Sequence, residues 1–163
     1  MMVDDLTEYS SVVAELLKSR GETVAVAESS AGGLISASLL SIPGASAYFV
    51  GGGVIYTLAA RNSLLPDGGH ALKGIRSASE PYALWLSKSI RDHLGSTWGL
   101  AETGASGPDG NRYGDKPGHT CLAVSGPSEH VCTLETAKNG RQDNMREFTR
   151  AALLLLEKAI RSK

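Results

Sequence analysis

The chain has 163 residues, 42% of them hydrophobic, and its 16 basic and 17 acidic side chains leave a net charge of −1. That length can bury a self-sufficient core, so one domain over residues 1–163 is the simplest expectation. The charge balance offers no basic footprint for nucleic acid and no polybasic membrane surface, so any anion site must be local.

No apolar run approaches the roughly 20 residues of a membrane-spanning helix. The start, Met1-Met2-Val3-Asp4-Asp5, lacks the apolar centre of a secretory leader, and a cytoplasmic location is expected. Leu6, Tyr9, Val13, Leu16 and Leu17 recur at helical spacing, with Asp4 or Asp5 as cap and Gly21 as stop. A strand over 23–27 then runs into Glu28-Ser29-Ser30-Ala31-Gly32-Gly33 and a helix over 32–41, which Pro43-Gly44 ends. Such a corner presents serine hydroxyls and unpaired backbone N–H groups, which attract phosphate, carboxylate or a developing oxyanion.

From Tyr48 to Tyr56 an aromatic and β-branched run is broken by Gly51-Gly52-Gly53, which predicts a strand with a bulge or a close backbone approach. Residues 62–76 read as loop. Ser79 caps the next helix, with Glu80 and Pro81 in its first turn, Ala83, Leu86, Ile90 and Leu94 as its buried stripe, and Gly95 beyond it. A strand over 98–102 enters a second glycine-rich corner, Thr103-Gly104-Ala105-Ser106-Gly107-Pro108. The irregular stretch over 109–118 is long for a connection, and long loops are often functional.

Strands over 120–125 and 131–135 form a hairpin about Gly126-Pro127-Ser128, with Cys121 and Cys132 as buried free thiols. The last helix takes Asn144 as cap and Glu147 as its capping-box partner. The element order predicts an α/β fold, a three-layer α/β/α sandwich with a mixed β-sheet.

Two strand ends that dissolve into Ser, Thr and Gly suggest one shared cavity at the sheet edge. Ser29 and Ser30 are either helix caps or nucleophiles; the hydrolase elbow G-x-S-x-G is not matched, because Glu28 stands at its first position. Glu28 is either a polar anchor or a catalytic carboxylate. Thr103 and Ser106, with the amides near Gly104 and Gly107, form either an anion nest or a plain turn. Tyr56 and Arg61 together could position a phosphate or polarise a carbonyl. His70, His93, His119 and His130 show no metal-ligand spacing, and neither a metal nor a cofactor is expected.

Ala27-Glu28-Ser29-Ser30-Ala31-Gly32-Gly33 resembles the E-S-C-T-G-G signature of the CinA C-terminal domain family, which includes the PncC-type nicotinamide mononucleotide amidases. The resemblance continues in order through Pro43-Gly44-Ala45-Ser46, Gly53-Val54-Ile55-Tyr56, Gly74 to Glu80, Thr103 to Gly110 and Lys116-Pro117. It implies a three-layer fold, a homo-oligomer and a small-molecule nucleotide as partner. It further implies that a serine attacks the carboxamide and releases ammonia, assisted by a tyrosine and a lysine. By this resemblance Ser29 is the nucleophile, Tyr56 its partner, and Arg61 stands at the lysine position.

Arginine stays protonated where lysine can act as a base, so Arg61 can hold charge but is a poor proton acceptor. Ser30 and Ala31 replace the family's Cys-Thr pair, and His119 replaces a glycine beside the expected cavity. His119 is a relocated base, a ligand contact or a change in a diverged loop. Arg141 or Arg146 is expected to meet a phosphate. Glu28, Ser30, Gly32, Gly33, Thr103, Gly104, Ser106, His119 and Arg141 make up the expected substrate contacts. Two readings follow: an amidohydrolase of the nicotinamide-nucleotide type, or a competence- or damage-associated module that keeps the nucleotide cavity and has lost the reaction.

Overall fold

The computed structural model describes residues 4–67 and 69–163, without the side chains of Asp4 and Asp5, so the cap expected there lies outside the described residues. Five strands form one sheet: β1 (Val24–Glu28), β2 (Phe49–Val54), β3 (Trp98–Ala105), β4 (His119–Ser125) and β5 (His130–Glu135). Their order is β2-β1-β3-β4-β5. β1 runs parallel to β2 and β3, whereas β4 and β5 add antiparallel to β3, so the sheet is mixed as expected.

The period-two alternation of the central strands decides what covers each face. Val24, Val26, Trp98, Leu100, Leu122 and Val124 point to one side and pack against α1 (Asp4–Arg20), α2 (Leu34–Leu40) and α5 (Arg141–Arg161). Ala25, Ala27, Ala101, Cys121 and Ala123 point to the other side, towards α4 (Glu80–Leu94). Small residues on that side let α4 approach closely. A Cβ on Gly99 would lie 1.9 Å from the Ser87 carbonyl oxygen, which leaves no room for a side chain. Cys121 and Cys132 are free thiols on opposite faces, Cys121 buried and Cys132 only half-buried.

The glycine-broken run behaves as expected. The β1–β2 register slips between Val24 and Ala25, and a Cβ on Gly52 would lie 2.3 Å from the Val26 carbonyl oxygen. Ser79 caps α4 by accepting from the Tyr82 amide, and Gly95 ends it at φ 68°.

Three expectations need correction. The stretch read as loop contains part of a further helix, α3 (Leu58–Leu64), which starts because the Thr57 hydroxyl accepts from the Ala60 amide. α2 begins two residues later than expected, since Gly32 and Gly33 take positive φ values outside it. Asn144 is not a cap. α5 starts after Gly140, and Asn144 is buried within its first turns, donating to the Ser106 and Lys138 carbonyls and accepting from Thr136.

Candidate functional site

β1 ends in Ala27-Glu28 beside Ala101-Glu102 in the middle of β3, and both carboxylates turn to the three-helix side. These two glutamates shape the corner after β1. The wholly buried Glu28 accepts from the amides of Gly33 (2.9 Å), Ile35 (3.1 Å) and Ser36 (3.0 Å) and from the Ser36 hydroxyl (2.7 Å). The protein's own carboxylate therefore occupies the start of α2, where an external anion was expected, and a formal negative charge is well placed there. Glu28 is an anchor rather than a substrate contact.

Glu102, also wholly buried, holds the turn itself. Its Oε2 accepts from the amides of Ser29 (3.0 Å) and Ala31 (2.8 Å), while its Oε1 meets the hydroxyls of Ser30 and Thr120. Burial pushes its pKa above the usual carboxylate range, and the four donors offset that only in part. Glu102 was not among the expected site residues, although Ala27-Glu28 and Ala101-Glu102 lie level on neighbouring strands; β3 also runs on to Ala105, beyond the expected end at 102.

Ser29 stays half-buried at this corner, and its hydroxyl makes no hydrogen bond among the described residues. It lines a cavity of about 340 Å³ whose walls include the rings of Tyr56, Tyr82 and Tyr113. Thr103 and Gly104 line it from β3, with the Thr103 hydroxyl accepting from the Ala78 amide. A smaller cavity of about 140 Å³ adjoins it, sharing Tyr56, Gly104 and Asn111 and adding Ser30, Ser106 and Arg141. Arg141 donates to the Gly107 carbonyl (2.6 Å) and to the Tyr56 hydroxyl (3.1 Å), and has no carboxylate partner among the described residues. The buried Ser106 hydroxyl there has no partner.

Other expected contacts lie elsewhere. Arg61 does not line the Ser29 cavity. It borders another space beside Asp67 and His70, with its guanidinium 6.0 Å from the ring centroid of Tyr82, which lines the Ser29 cavity. Gly32 and Gly33 line a separate apolar hollow beside Met145, which Arg141 also borders. Arg146 pairs with Asp143 on the surface of α5.

His119 stands behind the cavity wall, not in it. Its ring nitrogens face the Glu135 carboxylate and the Ala78 carbonyl (2.8 Å), with Asp115 at 3.6 Å. Two acceptors facing two ring nitrogens favour the doubly protonated imidazolium. Burial alone would lower its pKa, but Glu135, Ala78 and Asp115 outweigh it and raise the value. A raised folded-state pKa gives stability that is complete below about 6.5 and is lost as pH rises through the folded value. The stability gap between the wild type and His119→Gln should therefore narrow with rising pH in denaturant titrations; a constant gap would contradict an imidazolium here.

Among the described residues, no group of three or more His, Cys, Asp or Glu side chains is placed to hold a metal ion, and no helix is long and apolar enough to cross a membrane. The model of the CinA C-terminal domain family matches residues 6–160. A CinA-like protein of Gloeobacter violaceus is 38% identical over 158 residues, covering 96% of this chain and 37% of that protein. One of Nostoc sp. is 36% identical over 126 residues, covering 77% and 30%. The chain thus spans about a third of the length of the curated relatives it matches, 30% and 37% in these two cases. Among solved structures, the competence/damage inducible protein CihA of Agrobacterium tumefaciens superposes with TM-score 0.87 at 27% identity, covering 96% of each chain. A CinA superfamily protein of Klebsiella pneumoniae shares the fold, with TM-score 0.90 at 22% identity over 97% of this chain and 99% of that one.

Proposed function

The chain belongs to the CinA C-terminal domain family, and on that footing we propose that it is a serine amidohydrolase acting on the carboxamide of a phosphorylated pyridine nucleotide, nicotinamide mononucleotide being the first candidate. The observation that carries this reading is the pair of adjoining cavities. One holds the free Ser29 hydroxyl among three aromatic rings, suited to a flat heteroaromatic ring. The other holds Arg141 and the unpartnered Ser106 hydroxyl, suited to a phosphate. A nucleotide presents both groups at opposite ends, and Tyr56 lines both spaces.

In this reading Ser29 bonds to the carboxamide carbon and Tyr56, steadied by Arg141, orients the substrate between the two spaces. Arg61 acts on the Tyr82 wall rather than on the reacting atoms. The second reading, a nucleotide-binding module without hydrolysis, draws on the same cavities and on the loss of the family lysine at Arg61.

The test is ammonia release from nicotinamide mononucleotide by the purified protein. Release should fall by about 10³-fold or more in Ser29→Ala. No release, together with a nucleotide-dependent rise in Tm, would favour the binding module. Neither release nor a rise would end both readings.

A further inference from the structure

The lining of the Ser29 cavity includes no histidine, lysine or carboxylate, and hydrolysis by a serine needs a proton acceptor. Arg61 borders another space and stays protonated. What the lining does hold is three phenols in unlike surroundings. Tyr82 is buried in the first turn of α4, and the Tyr56 oxygen faces Arg141. The Tyr113 oxygen accepts from Arg112 Nη2 at 2.9 Å, and Ser77 lines the same cavity.

The guanidiniums of Arg112 and Arg76 each lie 5.1 Å from the Tyr113 ring centroid. Arg76 shares its charge with Asp115 through two hydrogen bonds, of 2.7 and 3.2 Å, while Arg112 has no carboxylate partner among the described residues. The loop is fixed from within: Asn111 Oδ1 accepts from the amides of Tyr113 (3.0 Å) and Asp115 (3.1 Å), and Asn111 Nδ2 donates to Asp115 (2.8 Å). A phenol whose oxygen accepts from one guanidinium and whose ring meets two is set up to carry negative charge.

We propose that Tyr113 is the proton acceptor for Ser29 in the hydrolysis proposed above, on which this inference rests. As the Ser29 Oγ bonds to the carboxamide carbon, its proton passes through one water to the Tyr113 phenolate oxygen, since both side chains line one cavity without a direct hydrogen bond. The phenol returns that proton to the nitrogen as the C–N bond breaks, and ammonia leaves. Water then attacks the ester, giving one proton to Tyr113, which passes it to the Ser29 oxygen as the acid departs. Arg112 is a positioning residue, acting through the phenol. Its hydrogen bond, followed by Ser77, holds the Tyr113 phenol below the usual tyrosine range, with burial opposing.

Tyr113→Phe removes the oxygen and keeps the ring against both arginines. Its kcat should fall by about 10²–10⁴-fold with KM changed by less than about threefold. The acid limb of the wild-type kcat–pH profile should vanish in that variant and move to higher pH in Arg112→Gln. Ultraviolet difference titration supplies a readout without turnover: the wild type should show one phenol that ionises before the others and is missing from Tyr113→Phe. Ammonia release lost in Ser29→Ala but kept in Tyr113→Phe with an unchanged profile would overturn the role of Tyr113 alone, as would the lack of an early-ionising phenol. No release from the wild type at any pH would overturn the parent reading, and this inference with it.

Discussion

Glu28→Ala is expected to lower stability by about 3–5 kcal/mol, the range seen when one partner of a buried charged cluster is removed. Three amides and a hydroxyl lose their acceptor together, and a buried donor left unpaired costs about 1–3 kcal/mol. The full sum is not reached, because Gly33 and Ser36 are half-buried and water can reach them in part. Against a typical total of about 5–15 kcal/mol this is a large fraction, and Tm should fall by roughly 10 °C or more. Glu28→Gln keeps the shape and one acceptor oxygen, so it should lose about half as much and still fold. Denaturant unfolding of both variants decides the matter. A Glu28→Ala protein within 1 kcal/mol of the wild type would mean that the carboxylate does not hold the start of α2.

Glu102 should make stability depend on pH in the direction opposite to an ordinary salt-bridged carboxylate. Burial raises its pKa, so the folded state keeps a proton that the unfolded chain releases above about 4.3. Stability is then greatest below that value and declines as pH climbs towards the folded pKa. Burial is what favours the neutral form, and the hydroxyl partners can accommodate it. Oε2 faces two amides that can only donate, and Oε1 faces two hydroxyls that can also accept. The Thr120 hydroxyl has a second acceptor in the Thr103 carbonyl at 3.1 Å, so it can turn its hydrogen there. Glu102→Gln reproduces this arrangement without a titrating group. Its stability relative to the wild type should rise steadily as pH increases from about 4 to 8 in denaturant titrations. A difference that does not move with pH would show that Glu102 does not titrate in the folded protein.

Much of the fold was legible because its signals are local. Gly21 and Gly95 end helices, Ser79 begins one, and the alternation in Val24-Ala25-Val26-Ala27 assigns a face to each residue. The site was legible only in outline. Ser29 and Tyr56 share a cavity, but nothing local to Arg61 indicates that its guanidinium packs against Tyr82, on a helix some 20 residues on. Glu28 read as either anchor or catalyst, with the anchor favoured, and the outcome depended on donors at the start of the next helix. Tyr113 stayed hidden within a glycine-rich loop, because the neighbouring Arg112 carries no site signature by itself and the second guanidinium, from Arg76, comes from more than 30 residues earlier. Asn144 carried a helix-cap signature, yet tertiary demand from the Ser106 carbonyl took its amide.

The unequal covering of the sheet gives divergence in this chain a direction. On the α4 side, where Gly99, Ala101 and Ala123 meet a helix at contact distance, added methyl groups have nowhere to go. On the opposite side, where Trp98, Leu100 and Phe148 interlock, the penalty falls on deletions, because an emptied volume does not refill. Substitutions in this chain thus meet two filters of opposite sense, one per face, and the α4 side, whose strands lead to Ser29 and hold Thr103, is the one that tolerates no added bulk.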